Sequence, residues 1–301
     1  MRRNLDVLCI GEAMVGLHPV GGCSLATATE FEMSVGGAEL NVATALAGAG
    51  RRVAWAGAVG ADPFGERILA HLARHDIASD LVLRANRPTG LYVKDPDPGG
   101  SALHYYRAGS AGASISASDL DRWGASTHPR LIHVSGITAL ISERAAGLTQ
   151  RLLRDRPFGD TALSFDVNMR AGLAVADTPA MLLSLARLAD IVFVGRDEAA
   201  ELWMTESADD IRALLPESAV LVVKDAACEA VEFHGAERIA VGALPVEVVE
   251  PTGAGDAFAA GWIDAWLRGA GSRERLSAGH EYAAVALRSR TDHGASAAAG
   301  T

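Results

Sequence analysis

Short apolar runs punctuate the chain at 7–10, 52–59, 131–134, 162–167, 191–194, 219–223 and 246–249, rich in Val, Ile, Leu and Ala. Most are nearly continuous rather than alternating, as expected of strands covered by helices on both faces. Ala- and Leu-rich stretches separate them. Phe258, Trp262, Ile263 and Trp266 recur at helical spacing and predict a helix over 257–267. The alternation predicts an α/β fold, a doubly wound and mostly parallel sheet flanked by helices. Two regions break it. Residues 12–35, and 89–107 with the turn Pro96-Asp97-Pro98-Gly99-Gly100, have strand character with no helix between. They are expected to pair as a small β-strand lid spanning 12–36 and 89–108, over a large α/β domain made of 1–11, 37–88 and 109–301.

Composition narrows the partners. The chain has 301 residues, 49% hydrophobic and 21% charged, enough for a sizeable core, and a formal net charge of −10. That field repels nucleic acid and anionic membranes, so an anionic substrate would need local arginines. Cys9, Cys23 and Cys228 are odd in number and far apart, which fits neither a disulfide framework nor a zinc knuckle and predicts a reducing compartment. Asp6 interrupts the apolar run after Arg2 and Arg3, and no stretch approaches the roughly 20 residues of a membrane span, so a cytoplasmic location is expected.

The densest chemistry lies at 250–258, Glu-Pro-Thr-Gly-Ala-Gly-Asp-Ala-Phe. Gly253, Ala254 and Gly255 can aim backbone N–H groups at an oxyanion near a positive helix end. Asp256 beside them is placed to accept a proton from an attacking hydroxyl. Taken alone, the same residues also read as a tight turn with Asp256 as a helix cap. Gly36-Gly37, followed by Asn41, forms a second glycine-bearing helix start, where backbone amides and the Asn41 carboxamide can meet a polar ligand. His71 and His75 lie four apart on a predicted helix, but with Arg67 and Arg74 nearby and no third ligand they read as an ordinary polar face rather than a zinc site. No Gly-x-Ser-x-Gly elbow or Gly-x-x-x-x-Gly-Lys-Ser/Thr loop occurs, which excludes those hydrolase and P-loop readings.

In their order and spacing, Gly36-Gly37 with Asn41, Gly-Ala-Asp-Pro-Phe-Gly at 60–65, Asp-Val-Asn-Met-Arg at 166–170 and the 253–256 turn resemble the ribokinase-like, PfkB-type carbohydrate kinases. The resemblance implies a large α/β domain, a β lid that closes over a sugar, ATP with Mg²⁺ as phosphoryl donor, Asp256 as base and a homodimer through the lid. Thr89 to Tyr92, His104 to Ala111, Leu131 to Ile137 and Asp292-His293 resemble the 2-keto-3-deoxygluconate kinase branch. On that likeness Gly36, Gly37, Asn41, Tyr92, Tyr105, Arg107 and Arg170 would face a sugar acid, the guanidinium groups offering paired donors to its carboxylate. Asn168, Glu198, Lys224 and His280 would face the nucleotide, with Glu198 near Mg²⁺ through water.

The chain departs from the family pattern in places. Gly195 stands where Asn or Ser is usual, and His280 where Asn is common near the adenine. Ala226 and Glu229 replace two glycines, and the strain of an alanine at positive φ predicts a different path for that loop. Glu250 replaces an Asp in a region that holds a monovalent cation in some relatives. A neutral-sugar kinase of fructokinase or ribokinase type, or a sugar-binding protein with weakened catalysis, are the alternative readings.

Overall fold

The structure, a computed structural model, describes residues 3–97 and 100–289. Pro98, Gly99, Asp292 and His293 lie outside the described residues. In chain order the strands are β1 (Arg3–Ile10), β2 (Met14–Pro19), β3 (Phe31–Gly36), β4 (Val53–Ala56), β5 (Ala58–Gly60), β6 (Leu83–Ala85) and β7 (Gly90–Asp97). They continue with β8 (Gly100–Tyr106), β9 (Thr127–Ser135), β10 (Ala162–Asp166), β11 (Ile191–Gly195), β12 (Val220–Asp225), β13 (Glu229–His234) and β14 (Glu237–Gly242).

The large sheet runs β14-β13-β12-β11-β10-β9-β1-β4, parallel from β4 to β12, with an antiparallel β13–β14 edge. Its continuous apolar runs have a direct cause. Leu8 and Ile10 of β1 point into one core with Leu148, Leu182 and Ala199, whereas Val7 and Cys9 point into another with Leu40, Ile68 and Trp262. Helices Glu143–Asp155, Thr178–Ala186 and Arg196–Trp203 thus cover one face. Ala38–Gly48, Pro63–Arg74, Ala254–Leu267 and Ser272–Leu287 cover the other. Because β1 lies between β4 and β9, strand order reverses there, and the carboxyl ends beside a reversal are where open α/β sheets leave a crevice.

Two expectations need correction. Residues 246–249 form no strand. Val248 and Val249 are exposed, and the Val249 amide donates to the Leu287 carbonyl at the end of a helix rather than to a neighbouring strand. The sheet edge is taken instead by the β13–β14 hairpin, so 243–252 runs as an extended connection. The expected strand at 52–59 divides at Gly57, where a side chain would collide with the Gly11 carbonyl and the Trp55 ring. Its second half, β5, pairs with β6.

A second, four-stranded sheet has the order β3-β2-β7-β8, with β2 and β7 parallel and the other pairs antiparallel. Tyr92 is buried on the face toward the large sheet, while Phe31, Met33 and Tyr106 are exposed on the other. No helix among the described residues is long and apolar enough to cross a membrane.

Candidate active site

Asp256 lies in the first turn of helix Ala254–Leu267 and is only 5% exposed. Gly253 caps that helix at φ 83°, a left-handed conformation that favours glycine. Two carboxamides hold the carboxylate, one on each oxygen: Asn41 Nδ2 donates to Oδ2 at 2.8 Å and Asn168 Nδ2 to Oδ1 at 3.1 Å. Asn41 reaches it from a helix whose cap, Gly37, has φ 147° and lies so close to the Glu12 carbonyl that a Cβ would collide. Asn168 follows β10 at φ 34°. Burial pushes the Asp256 carboxyl up to about 7, against the pull of the Asn41 bond and the Arg170 charge; Asp166 adds a smaller push upward. The Ala254 amide turns back to the Pro251 carbonyl at 3.3 Å, whereas the Gly255 and Asp256 amides make no such bond among the described residues. The free donors at the turn are therefore Gly253, whose amide likewise makes no bond among the described residues, Gly255 and Asp256.

Two clefts meet at this carboxylate and share Arg170, Thr252, Gly253 and Asp256. The first is narrow and lies under the second sheet, bounded by Gly37, Asn41, Tyr92, Tyr105 and Arg107. The second is roomier and is bounded by Asn168, Glu198, Lys224 and Gly255. Gly36 and His280 line neither. Gly36 is buried at the end of β3, and His280 packs edge-on against Phe258 at 5.2 Å with Nε2 against the Val241 carbonyl oxygen at 3.0 Å. His71 is buried against Thr44 Oγ1, at 2.9 Å.

Charge is distributed unevenly between the clefts. In the first, Arg107 is buried and ion-paired with Glu12, whose Oε1 also accepts from Ser110 Oγ at 2.5 Å, and its guanidinium lies 5.5 Å from the Tyr105 ring centre. The Tyr92 hydroxyl is 3.1 Å from Ser34 Oγ, which in turn is 2.6 Å from His18 Nε2. Gly16 leaves room for that ring, since a Cβ there would strike it. In the second cleft, Lys224 Nζ donates to Asp166 at 2.8 and 3.1 Å. Burial pulls this ammonium down, but Asp166 and Glu198 outweigh it and hold Lys224 above its ordinary value. Glu198 is raised, by burial first and by Asp166 next, although its oxygens accept from the Met169 and Gly195 amides. Arg170 is exposed and has no ion-pair partner among the described residues.

A buried base between two clefts, with orphan amides beside it, suits transfer of an anionic group onto a hydroxyl. The model of the pfkB family of carbohydrate kinases matches residues 4–297. The chain belongs to that family. It is 29% identical to a 2-dehydro-3-deoxygluconokinase of Thermoproteus tenax, over 96% of this chain and 90% of the relative. It is also 31% identical to a protein named probable fructokinase-7 of Arabidopsis thaliana, over 86% and 78%. A PfkB protein from Polaromonas sp. JS666 superposes with a TM-score of 0.87 at 30% identity, covering 94% of this chain and 96% of that one. The fold is ribokinase-like, and the protein is a sugar kinase.

In this carbohydrate kinase the alanine at the β12–β13 turn does not avoid the left-handed region. Ala226 adopts φ 41°, and the Cys228 amide closes the turn on the Asp225 carbonyl at 2.8 Å. The ladder on both sides imposes the left-handed residue, whatever its side chain. Glu250 faces the Lys94 ammonium of β7 at 3.2 Å, while its Oε1 accepts from Thr252 N at 3.0 Å and Thr252 Oγ1 at 2.7 Å. Sequence reasoning passed over Glu12, Lys94, Asp166 and Thr252 as site residues. Glu12 and Asp166 had a usable signal, each being a carboxylate at the carboxyl end of an apolar run.

Proposed function

We propose that this kinase transfers the γ-phosphoryl group of ATP to the terminal primary hydroxyl of a sugar acid of the 2-keto-3-deoxygluconate type. The observation that carries this reading is Asp256 at the junction of the two clefts, with both oxygens oriented by carboxamides. The sugar acid occupies the narrow cleft, beneath a lid formed by 12–36 and 89–108, and contacts Gly37, Asn41, Tyr92, Tyr105 and Arg107. The nucleotide occupies the roomier cleft beside Asn168, Glu198 and Lys224. Asp256 takes the hydroxyl proton as oxygen attacks phosphorus, and the Gly255 and Asp256 amides, with Gly253 allowing close approach, face the charge on the transferring group. Arg170 touches both clefts and serves the carboxylate of the sugar acid.

Among the described residues no three His, Cys, Asp or Glu side chains cluster to hold a metal, and both Glu198 oxygens already accept backbone amides. This donor set fits a Mg²⁺ that arrives on the nucleotide and meets Glu198 through water, not a resident ion. When bound, the metal would neutralise phosphate charge.

One observation favours a second reading. Glu12 already neutralises Arg107, as would suit a neutral ketose, and a probable fructokinase is among the relatives. ADP release across keto-deoxy sugar acids, hexoses, pentoses and nucleosides separates the two. A keto-deoxy acid should have the highest kcat/KM, and Arg170→Ala should weaken its use selectively; higher kcat/KM for fructose or ribose, indifferent to Arg170→Ala, would sink the sugar-acid assignment. We also infer that the outer face of the lid, with Phe31, Met33 and Tyr106 exposed, binds a second copy of the chain.

A further inference from the structure

We propose that the Lys94–Glu250 ion pair is a positioning device that transmits occupancy of the sugar cleft to the anion-binding turn. The inference rests on the kinase reading of the site and adds a coupling route to it.

Strand β7 carries Tyr92 and Lys94 on one face, two residues apart, and Tyr92 lines the narrow cleft. The Lys94 side chain is 5% exposed and crosses from the second sheet to the connection between β14 and helix Ala254–Leu267. There it meets Glu250, whose two oxygens have different tasks. Oε2 faces the ammonium at 3.2 Å, while Oε1 accepts the Thr252 amide and hydroxyl. Thr252 borders both clefts and immediately precedes Gly253, the residue that sets the direction of the Gly255 and Asp256 amides. One chain of contacts thus joins the sugar-facing strand to the phosphate-facing turn.

The rest of the connection is lightly held. Among the described residues its backbone bonds are Ala243 N to the Cys228 carbonyl, Val249 N and Glu250 N to the Leu287 carbonyl, and Ala254 N to the Pro251 carbonyl, and Val248 and Val249 are exposed. A segment with few ties follows the strongest tie it has, and a largely buried ion pair is a strong tie because separating the two charges forfeits their attraction without returning either to water. Movement of β7 onto a bound sugar therefore carries Glu250, then Thr252, then the turn. Glu250 is suited to this role. Although burial raises its carboxyl, the Thr252 bonds and Lys94 outweigh that and hold it below its ordinary value, so it stays ionised.

The test uses the full-length protein and calorimetric binding of a non-hydrolysable ATP analogue, with and without 2-keto-3-deoxygluconate, alongside steady-state kinetics. In the wild type the sugar acid should tighten the analogue at least fivefold, the low end of ordinary site–site coupling of roughly 5–150-fold. Lys94→Met should reduce that coupling to less than about twofold and lower kcat about tenfold, while sugar KM changes less than about threefold; Lys94→Arg should restore much of the coupling. The double variant Lys94→Met/Glu250→Gln, which removes both charges of the pair, should fold and also lack coupling. Wild-type coupling in Lys94→Met or in the double variant overturns the proposal, as does a wild type with none. Loss of sugar affinity equal to the loss of kcat also overturns it, since Lys94 would then merely shape the lid. Wild-type coupling without turnover of the sugar acid would instead refute the substrate assignment and leave the linkage standing.

Discussion

Asp256 concentrates the chemistry of this protein in one ionisation. Its folded value of about 7 lies well above the ordinary 3.8, so the native state holds a proton that the unfolded chain releases first. The stabilisation from that proton is complete below about 3.8, and it declines as pH rises and is lost as pH passes about 7. Activity has the opposite slope, because a base works ionised. The kcat/KM for the sugar should rise with pH through a midpoint near 7. Asn41 donates to the ionised form, so Asn41→Ala should move that midpoint upward, and Asp256→Asn should lower turnover by roughly 10²–10⁴. A pH–rate profile unmoved by Asn41→Ala would separate the titrating group from Asp256. Sequence alone marked Asp256, Asn41 and Asn168 but assigned them to base, sugar and nucleotide; folding joined all three at one carboxylate.

At the scale of elements, the β12–β13 hairpin carries an identifiable local strain. Ala226 is held at φ 41° by the ladder from Asp225–Glu229 back to Val220–His234. Ala226→Gly should therefore raise stability by about 1 kcal/mol, seen as an increase of a few degrees in thermal midpoint. An unchanged or lowered midpoint would show that the alanine is accommodated without cost. The same hairpin explains why an edge of the sheet was not legible. β13 has Glu232 at its centre, which breaks the apolar pattern, yet Glu232 is buried because Arg275 and Trp262 Nε1, from two distant helices, satisfy its oxygens. The converse misled at 246–249, where valines sit in an exposed connection with no strand to pair. The parallel strands were legible because each is apolar on both faces, and no distant partner is needed to explain that.

At the scale of the whole molecule, the second sheet presents opposite chemistry on its two faces. Tyr92, Tyr105 and Arg107 look toward the cleft, whereas Phe31, Met33 and Tyr106 look outward. If the outward face pairs two copies, light scattering should report a dimer, and Met33→Glu with Tyr106→Glu should shift it toward monomer through buried like charge. A wild-type monomer at micromolar concentration would remove the proposal.

Local order was in the chain from the start. Which runs become parallel strands, where glycine must cap a helix and which carboxylate sits beside free amides all follow from short-range patterning and backbone sterics. What only the tertiary structure decided is who neutralises whom. Glu12 on Arg107, Lys94 on Glu250 and Asp166 on Lys224 join residues far apart in sequence. A buried charge is tolerated only beside its partner, and that proximity is a property of the packed fold.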